Sequence, residues 1–143
     1  MKKVLITLIL LLIMLLGGIF LFNKKEQSID LTSDLTCHLG IQDCEFNYDN
    51  KKVKISITPK PLRAMVPTTV RVIGVKQNFK NLNVEIKGLN MNMGIIKTNF
   101  IKKGDDYEAI LSFNACSTDM VYNMKFFDDN NPIGLEAKFV MKN

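Results

Sequence analysis

The sequence contains no tryptophan and only one histidine, His38. That histidine lies between two cysteines without an apparent acidic partner, so nothing frames a Ser-His-Asp or Cys-His nucleophile. The nucleotide-binding patterns GxGxxG and GxxxxGK(S/T) and the zinc-protease pattern HExxH are missing as well. The paired aspartates Asp105-Asp106 and Asp128-Asp129 fall in turn segments, where aspartate is favoured because it bonds to the backbone. We therefore expect that this protein is not an enzyme.

Charge of one sign is not concentrated in any part of the chain. The formal net charge is +5, and Lys2 and Lys3 at the start contribute two of the positive charges. In the rest of the chain acidic and basic residues are interspersed, with no arginine cluster and no basic stripe interleaved with aromatic residues. Nucleic-acid-binding proteins carry such a basic footprint, so we expect no nucleic-acid partner.

One long hydrophobic run is present, at the front of the chain. Val4 to Phe22 is a stretch of 19 residues without a charge. A helix that crosses a bilayer needs about 20 apolar residues, and the apolar core of a signal peptide is usually shorter. No small-x-small cleavage site follows, and no cysteine near its end could accept a lipid. We predict an uncleaved signal-anchor over residues 1–25, a linker over 26–36 and one domain over 37–143, with a cleaved signal peptide as the alternative.

The orientation of this anchor depends on its flanks and on the cysteines. Lysines lie on both sides of the run, at Lys2-Lys3 and at Lys24-Lys25, so the positive-inside rule decides only weakly. Three cysteines in a short exported domain fit an oxidising compartment better than the cytosol. We predict a single-pass protein of the inner (cytoplasmic) membrane whose domain faces the extracytoplasmic side, the periplasm where there is one.

Beyond residue 50 the hydrophobic pattern has a period of two. In the segment KKVKISITP, Val53, Ile55 and Ile57 alternate with polar residues, and Pro59 ends the strand. Six more strands are predicted over residues 68–75, 82–87, 95–102, 107–113, 121–127 and 133–141. Seven short strands without an amphipathic helix predict an all-β domain, an immunoglobulin-like antiparallel β-sandwich. The cysteine–tryptophan–cysteine core signature of that fold is absent, and the pattern does not give the strand order.

Two of the three cysteines, Cys37 and Cys44, enclose a six-residue loop that contains Gly40. A disulfide needs Cα atoms about 5–6 Å apart, and a loop of this size can supply that distance. We predict a structural disulfide between Cys37 and Cys44; the alternative is that both act as thiolate metal ligands together with His38. Cys116 is then the odd thiol, and an unpaired thiol in an exported protein calls for a role.

Methionines and Cys116 gather near two predicted strand ends. Met91 and Met93 lie in the polar, turn-prone segment GLNMNMG, where a gap-filling core methionine is unexpected. Residues two apart in an extended segment project to the same side, so their thioethers can converge. Cys116 and Met120 lie together in the connection between two later strands. Thioethers and thiolates select Cu(I) over harder ions, so we predict a Cu(I) site of Met91, Met93, Cys116 and Met120, with core packing of some of these methionines as the alternative.

The residues also carry a resemblance to a known family. The run MNMG, a tyrosine in a later strand, and Cys116 with Met120 four residues on, all after a paired-cysteine loop, resemble YtkA-like and FixH-like small membrane-anchored proteins of proteobacteria. The resemblance covers about residues 37–140. It implies an exported immunoglobulin-like domain that accompanies copper trafficking and respiratory oxidase assembly. The family pattern usually has a tryptophan soon after the methionine equivalent to Met120, and this chain has Tyr122 there.

Two functions of different class follow from these observations. The first is a membrane-anchored accessory protein that holds Cu(I) and passes it to a partner such as a respiratory oxidase or a metal transporter. The second is an interaction module that docks a membrane or envelope protein complex without a metal. A third interpretation is a structural domain whose methionines only fill the core and its rim. Convergence of the four sulfur atoms on an accessible edge would favour the first.

Overall fold

The computed structural model describes residues 37–114, 116 and 118–142. The predicted anchor and linker, residues 1–36, lie outside this range. Within it, no helix occurs and nine strands follow one another along the chain: β1 Cys44–Tyr48, β2 Lys51–Thr58, β3 Thr68–Ile73, β4 Leu82–Gly88, β5 Ile95–Asn99, β6 Ile101–Lys103, β7 Asp106–Leu111, β8 Met120–Asp128 and β9 Asn131–Met141.

The strands form two antiparallel sheets. One has five strands in the order β1-β2-β3-β7-β6, and the other has four in the order β5-β4-β8-β9. Buried apolar side chains of both sheets belong to one continuous core, so the sheets pack as the two layers of a β-sandwich. The predicted all-β class and antiparallel sandwich are confirmed.

The period-two pattern places one face of each strand in this core. Val53, Ile55 and Ile57 of β2 are buried, while the residues between them are partly exposed. The inward residues of β4 behave in the same way. At one end of the core, the ring of Phe113 packs edge-on against Tyr122 with centroids 5.1 Å apart and against Phe139 at 5.9 Å. This aromatic cluster fixes the connection between β7 and β8.

Two features of the sheets differ from the sequence prediction. The segment 95–102, predicted as one strand, is divided at the buried Phe100 into β5, which pairs with β4, and β6, which pairs with β7. The chain thus crosses from one sheet to the other without losing its extended form, and alternation of side chains does not record that change of partner. Strand β1 was not predicted; its inward face consists of buried Cys44 and the half-buried Phe46 and Tyr48.

The antiparallel registers collect the loops at the two ends of the sandwich. The first described residue, Cys37, lies at the end formed by residues 37–43, 59–67, 89–94 and the described part of 112–119, with Lys142 after β9. We call this the entry end, because the chain enters the domain there. The opposite end carries the turns after β1, β3, β6 and β8. Both loops that contain the predicted sulfur ligands are at the entry end.

Candidate functional site

The two sulfur-bearing loops are neighbours because β4 pairs with β8. Gly88, the last residue of β4, lies opposite Tyr122, near the start of β8. The loop after β4 carries Met91 and Met93, and the connection before β8 carries Cys116. Strand pairing therefore places segment 88–94 and the described part of segment 114–121 at the same end of the sandwich.

Asn90 ties these two loops together. Its Nδ2 donates a hydrogen bond to the carbonyl oxygen of Asp119 at 2.8 Å, and its Oδ1 accepts one from the amide of Val121 at 3.0 Å. The amide of Leu89 adds a third bond, to the carbonyl oxygen of Val121 at 2.8 Å. A backbone amide and carbonyl that would otherwise compete for water are thus satisfied by the opposite loop. The asparagine between the glycine and the methionines has a structural role.

Met91 and Cys116 are brought into contact by this arrangement. The thiol of Cys116 points at the thioether of Met91, with the two sulfur atoms 3.0 Å apart. Met91 is 40% exposed and Cys116 is partly exposed. Two soft donors therefore lie side by side at an accessible edge, and a single ion could contact both after small side-chain rotations. A shallow cavity of about 420 Å³ lies along the loop from Lys87 to Ile95, and Met91 is one of its lining residues.

Met120 lies beneath this contact and is fully buried. Gly88 separates it from the loop: a Cβ at residue 88 would lie 2.4 Å from the carbonyl oxygen of Met91 and 3.1 Å from the terminal methyl group of Met120. Gly88 is thus needed for the close approach of the loop to the core. The sulfur atom of Met120 lies below the Met91–Cys116 contact, and its role as a metal ligand stays a prediction.

Met93 has an intermediate position. Its side chain is half-buried against the core, and its carbonyl oxygen accepts a hydrogen bond from Nδ2 of Asn114 at 3.2 Å. The loop turns back into β5 at Gly94, whose φ of +77° lies in the left-handed region and whose amide bonds to Oδ1 of Asn92 at 3.2 Å. The loop is therefore held on both sides of Met93.

Tyr122 forms the inner wall of the site. Its hydroxyl donates a hydrogen bond to the carbonyl oxygen of Asn114 at 3.2 Å. Burial raises the pKa of Tyr122, and the negative charge of an ionised Cys116 nearby raises it further. The sequence interpretation missed Asn90, Asn114 and Tyr122 as supports of the site; the signal available for Asn90 was its position inside the methionine segment.

The remaining cysteines lie in the first loop of the entry end. Cys37 and Cys44 are at disulfide-bonding distance, with Cα atoms 6.2 Å apart, inside the usual range for a disulfide. The carbonyl oxygen of exposed His38 accepts the amides of Ile41 and Gln42 at 2.9 and 3.0 Å, which closes the loop as a turn. This geometry fits the structural pair rather than a pair of metal-binding thiolates.

Among the described residues, no three His, Cys, Asp or Glu side chains lie together in a way that could hold a metal ion. The pair of Met91 and Cys116 is of a different kind, since one of its donors is a thioether.

Comparison with protein-family models, curated proteins and solved structures finds no match for this chain. The resemblance to YtkA-like and FixH-like proteins thus remains an expectation from the residues quoted above. The part of the chain that the structure describes contains no helix long and apolar enough to cross a membrane. The predicted span at residues 4–22 is not part of it.

Proposed function

We propose that this protein is a membrane-anchored accessory protein of the extracytoplasmic face that binds Cu(I) for metal handling or respiratory oxidase assembly. The observation that carries the proposal is the 3.0 Å contact between the sulfur atoms of Met91 and Cys116 at an accessible edge. A thiolate adds negative charge to a soft donor set, and thioethers add selectivity for Cu(I). The 19-residue apolar run at 4–22 is the proposed anchor.

The ligands have different roles in this proposal. Cys116 is the charged donor, because binding replaces its proton with the ion. Met91 is the neutral donor on the facing loop, and Met93 is the nearest further thioether along the same loop. Met120 completes the predicted set only if the loop around Gly88 moves, since its side chain is fully buried. A site with few fixed ligands at a loop edge suits an ion that must enter and leave.

We also propose that the sandwich is of the immunoglobulin type. The order β2-β3-β7-β6 corresponds to strands A-B-E-D of that fold, and β5-β4-β8-β9 corresponds to C′-C-F-G, with β1 as an additional strand. The hydrogen bond from the hydroxyl of Tyr122 to the carbonyl of Asn114 supports the same assignment, since a tyrosine near the start of strand F makes such a bond in immunoglobulin domains. Met124, two residues on and fully buried, takes the place of the second core cysteine.

The test of the copper proposal is a Cu(I) titration of the full chain in nanodiscs against a competing chelator. We expect Cys116→Ser to weaken binding more than any single methionine change, because it removes the charged donor. Met91→Leu with Met93→Leu should weaken binding with little change in stability, since leucine matches methionine in volume. Met65→Leu is the matched control, because Met65 is 70% exposed on a different loop.

The same titration sorts the ligands. Met120→Leu removes a sulfur atom from the floor of the site, so a loss of affinity in this variant would make Met120 a ligand and an unchanged affinity would make it core. Wild-type affinity in both Cys116→Ser and the Met91/Met93 double variant would overturn the copper proposal.

The interaction module is the second candidate, and one observation favours it. Ile101 of β6 and Ile110 of β7 are 68% and 65% exposed, and both lie on the outer face of the five-stranded sheet at its β6 edge. Under this hypothesis a membrane protein co-purifies with the full chain, is lost from the Ile101→Ser/Ile110→Ser variant and is kept by Cys116→Ser. Retention by the isoleucine variant would contradict it.

A further inference from the structure

Exposed apolar side chains gather at the entry end. Ile41 is 64% exposed and Met65 is 70% exposed, on the first and second loops of this end. Leu89 and Met91 on the third loop are 38% and 40% exposed. Single exposed apolar residues are normal on a protein surface, but a group of them at one end marks a site of interaction.

Hydrogen bonds join these loops into one surface. The amide of Leu62 donates to the carbonyl oxygen of Gly40 at 2.8 Å, and the amide of Met65 donates to that of Phe113 at 2.8 Å. The bonds of Asn90 connect the third loop to the fourth. Gly40 packs so closely on β9 that a Cβ there would lie 2.6 Å from the carbonyl oxygen of Val140. The apolar residues are therefore presented by a fixed framework.

Basic side chains accompany the apolar ones. Arg63, Lys87 and Lys142 are exposed at or beside the entry end. The acidic Asp43 of this end is engaged by Lys60, and Lys54 lies 3.7 Å from it. The opposite end is different, because its turns and the adjoining strand ends carry several aspartates beside lysines such as Lys51, Lys76 and Lys80; the aspartates are Asp49, Asp105, Asp106, Asp128 and Asp129. The entry end thus combines exposed apolar side chains with basic ones, whereas basic and acidic side chains are mixed at the opposite end.

The chain outside the described residues ends at this surface. Residues 23–36 connect the apolar run that ends at Phe22 to Cys37, and 14 residues span at most about 50 Å when fully extended. A tether of this length keeps the attached surface at a high effective concentration near the membrane. It also attaches at the end that carries Ile41, Met65, Arg63 and Lys142, rather than at the end where acidic and basic side chains are mixed.

We infer that the entry end rests on the anionic surface of the bilayer that holds residues 4–22. Ile41 and Met65 enter the boundary between headgroups and acyl chains, while Arg63 and Lys142 face the lipid phosphates; this is the combination that binds proteins to anionic lipid surfaces. The inference rests on the proposed membrane anchor and is independent of copper. Its consequence is that the Met91–Cys116 edge opens toward the membrane, so the proposed ion exchange takes place with a partner embedded in the bilayer.

The chain contains no tryptophan, so a single introduced indole reports on one position. The full chain carrying Ile41→Trp is reconstituted into nanodiscs that contain anionic lipid with brominated acyl chains, and Asn130→Trp at the opposite end is the matched control. We expect blue-shifted emission and strong bromine quenching for Ile41→Trp, and water-like, unquenched emission for Asn130→Trp. Equal quenching at the two positions would overturn the inference and leave a protein partner as the occupant of this surface.

A second pair of variants tests the contribution of the basic residues to membrane attachment. Arg63→Glu with Lys142→Glu, added to Ile41→Trp, should remove the quenching, because each basic residue near an anionic surface strengthens attachment about five-fold. Lys51→Glu with Lys76→Glu makes the same charge change at the opposite end and should leave the quenching intact. Co-flotation of the unmodified chain with vesicles tests the anchor itself: a chain that fails to float contradicts the proposed anchor, whereas a floating chain without quenching contradicts only the docked end.

Discussion

The amide of Val121 donates a hydrogen bond to Oδ1 of Asn90 at 3.0 Å. The side-chain nitrogen of the same asparagine donates to the carbonyl oxygen of Asp119 at 2.8 Å. The side chain of Asn90, in the loop that carries Met91, therefore holds the backbone that leads from Cys116 into β8. This link holds together the two segments that carry Met91 and Cys116, whose sulfur atoms lie 3.0 Å apart.

Replacing Asn90 tests the link. Asn90→Ala removes two hydrogen bonds, each worth about 1 kcal/mol, and leaves the amide of Val121 without its partner. We expect a loss of about 1–2 kcal/mol in the free energy of unfolding by urea, together with weaker Cu(I) binding because the two sulfur atoms are no longer aligned. Asn47→Ala on exposed β1 is the control, and an equal effect of both changes would contradict the role given to Asn90.

Gly88→Ala tests the close approach of the loop to the core. The added Cβ would lie 2.4 Å from the carbonyl oxygen of Met91, so the backbone must shift, at a cost of about 1–3 kcal/mol. Gly134→Ala is a useful comparison: nothing lies within 4 Å of its Cβ position, and only the φ of +79° opposes the change. We expect the larger loss of unfolding free energy for Gly88→Ala. A smaller loss than that of Gly134→Ala would show that the loop moves freely.

The raised pKa of Tyr122 predicts how the stability of the folded protein changes at alkaline pH. Burial first, and the charge of Cys116 second, raise the pKa of Tyr122 above the ordinary value of 10.0. The unfolded chain then loses the phenolic proton at a lower pH than the folded one, so the stability that this group contributes is complete below about pH 10 and is lost as the pH rises through the higher, folded pKa. We expect Tyr122→Phe to reduce this alkaline loss of stability in urea unfolding.

A titration of phenolate absorbance in the folded protein tests the contact with Cys116 without any metal. Cys116→Ser removes the negative charge, so the pKa of Tyr122 should move back toward its ordinary value while burial keeps it raised. Burial also raises the pKa of Tyr48, with contributions from Asp49 and Asp128, and that group should not respond to the change at Cys116. An unchanged Tyr122 titration in Cys116→Ser would contradict the proximity of the two side chains.

The cysteine pair of the entry end predicts a stability effect. Closing a loop between residues seven apart in sequence should contribute about 2–3 kcal/mol through the unfolded state. We expect Cys37→Ser to lower the free energy of unfolding by this amount, and a reducing agent to lower that of the wild type equally while leaving the variant unchanged. Peptide mapping after alkylation should find Cys116 as the one modified thiol; a crosslink from Cys116 to either partner would refute the pairing.

Much of the fold follows from the sequence, since a strand that packs one face on a core must alternate. Val53, Ile55 and Ile57 predict the inward face of β2, and Gly104 predicts the turn between β6 and β7 with its φ of +64°. The division of residues 95–102 at Phe100 was not predictable in this way. Its cause is the choice of hydrogen-bond partners, β4 before the division and β7 after it, and that choice leaves no mark on side-chain polarity.

The candidate site, too, could be predicted from the sequence only in part. The types of Met91, Met93 and Cys116, and their positions next to strand ends, could be read along the chain. The burial of Met120 could not, because its depth depends on Gly88 and on the loop that crosses above it. The hydrogen bonds of Asn90 could not be predicted either, because their partners lie 29 and 31 residues away in the sequence.

The sequence by itself determined the all-β class, the inward face of most strands and the supply of soft donors, because these depend on local polarity and residue type. Only the tertiary structure decided that β4 and β8 are neighbours and that Gly88 lies opposite Tyr122. That pairing brings the sulfur atoms of Met91 and Cys116 to 3.0 Å and gathers the loops of the entry end. The physical reason is that strand pairing is a contact between distant segments, selected by the packing of the whole core rather than by the pattern of either segment.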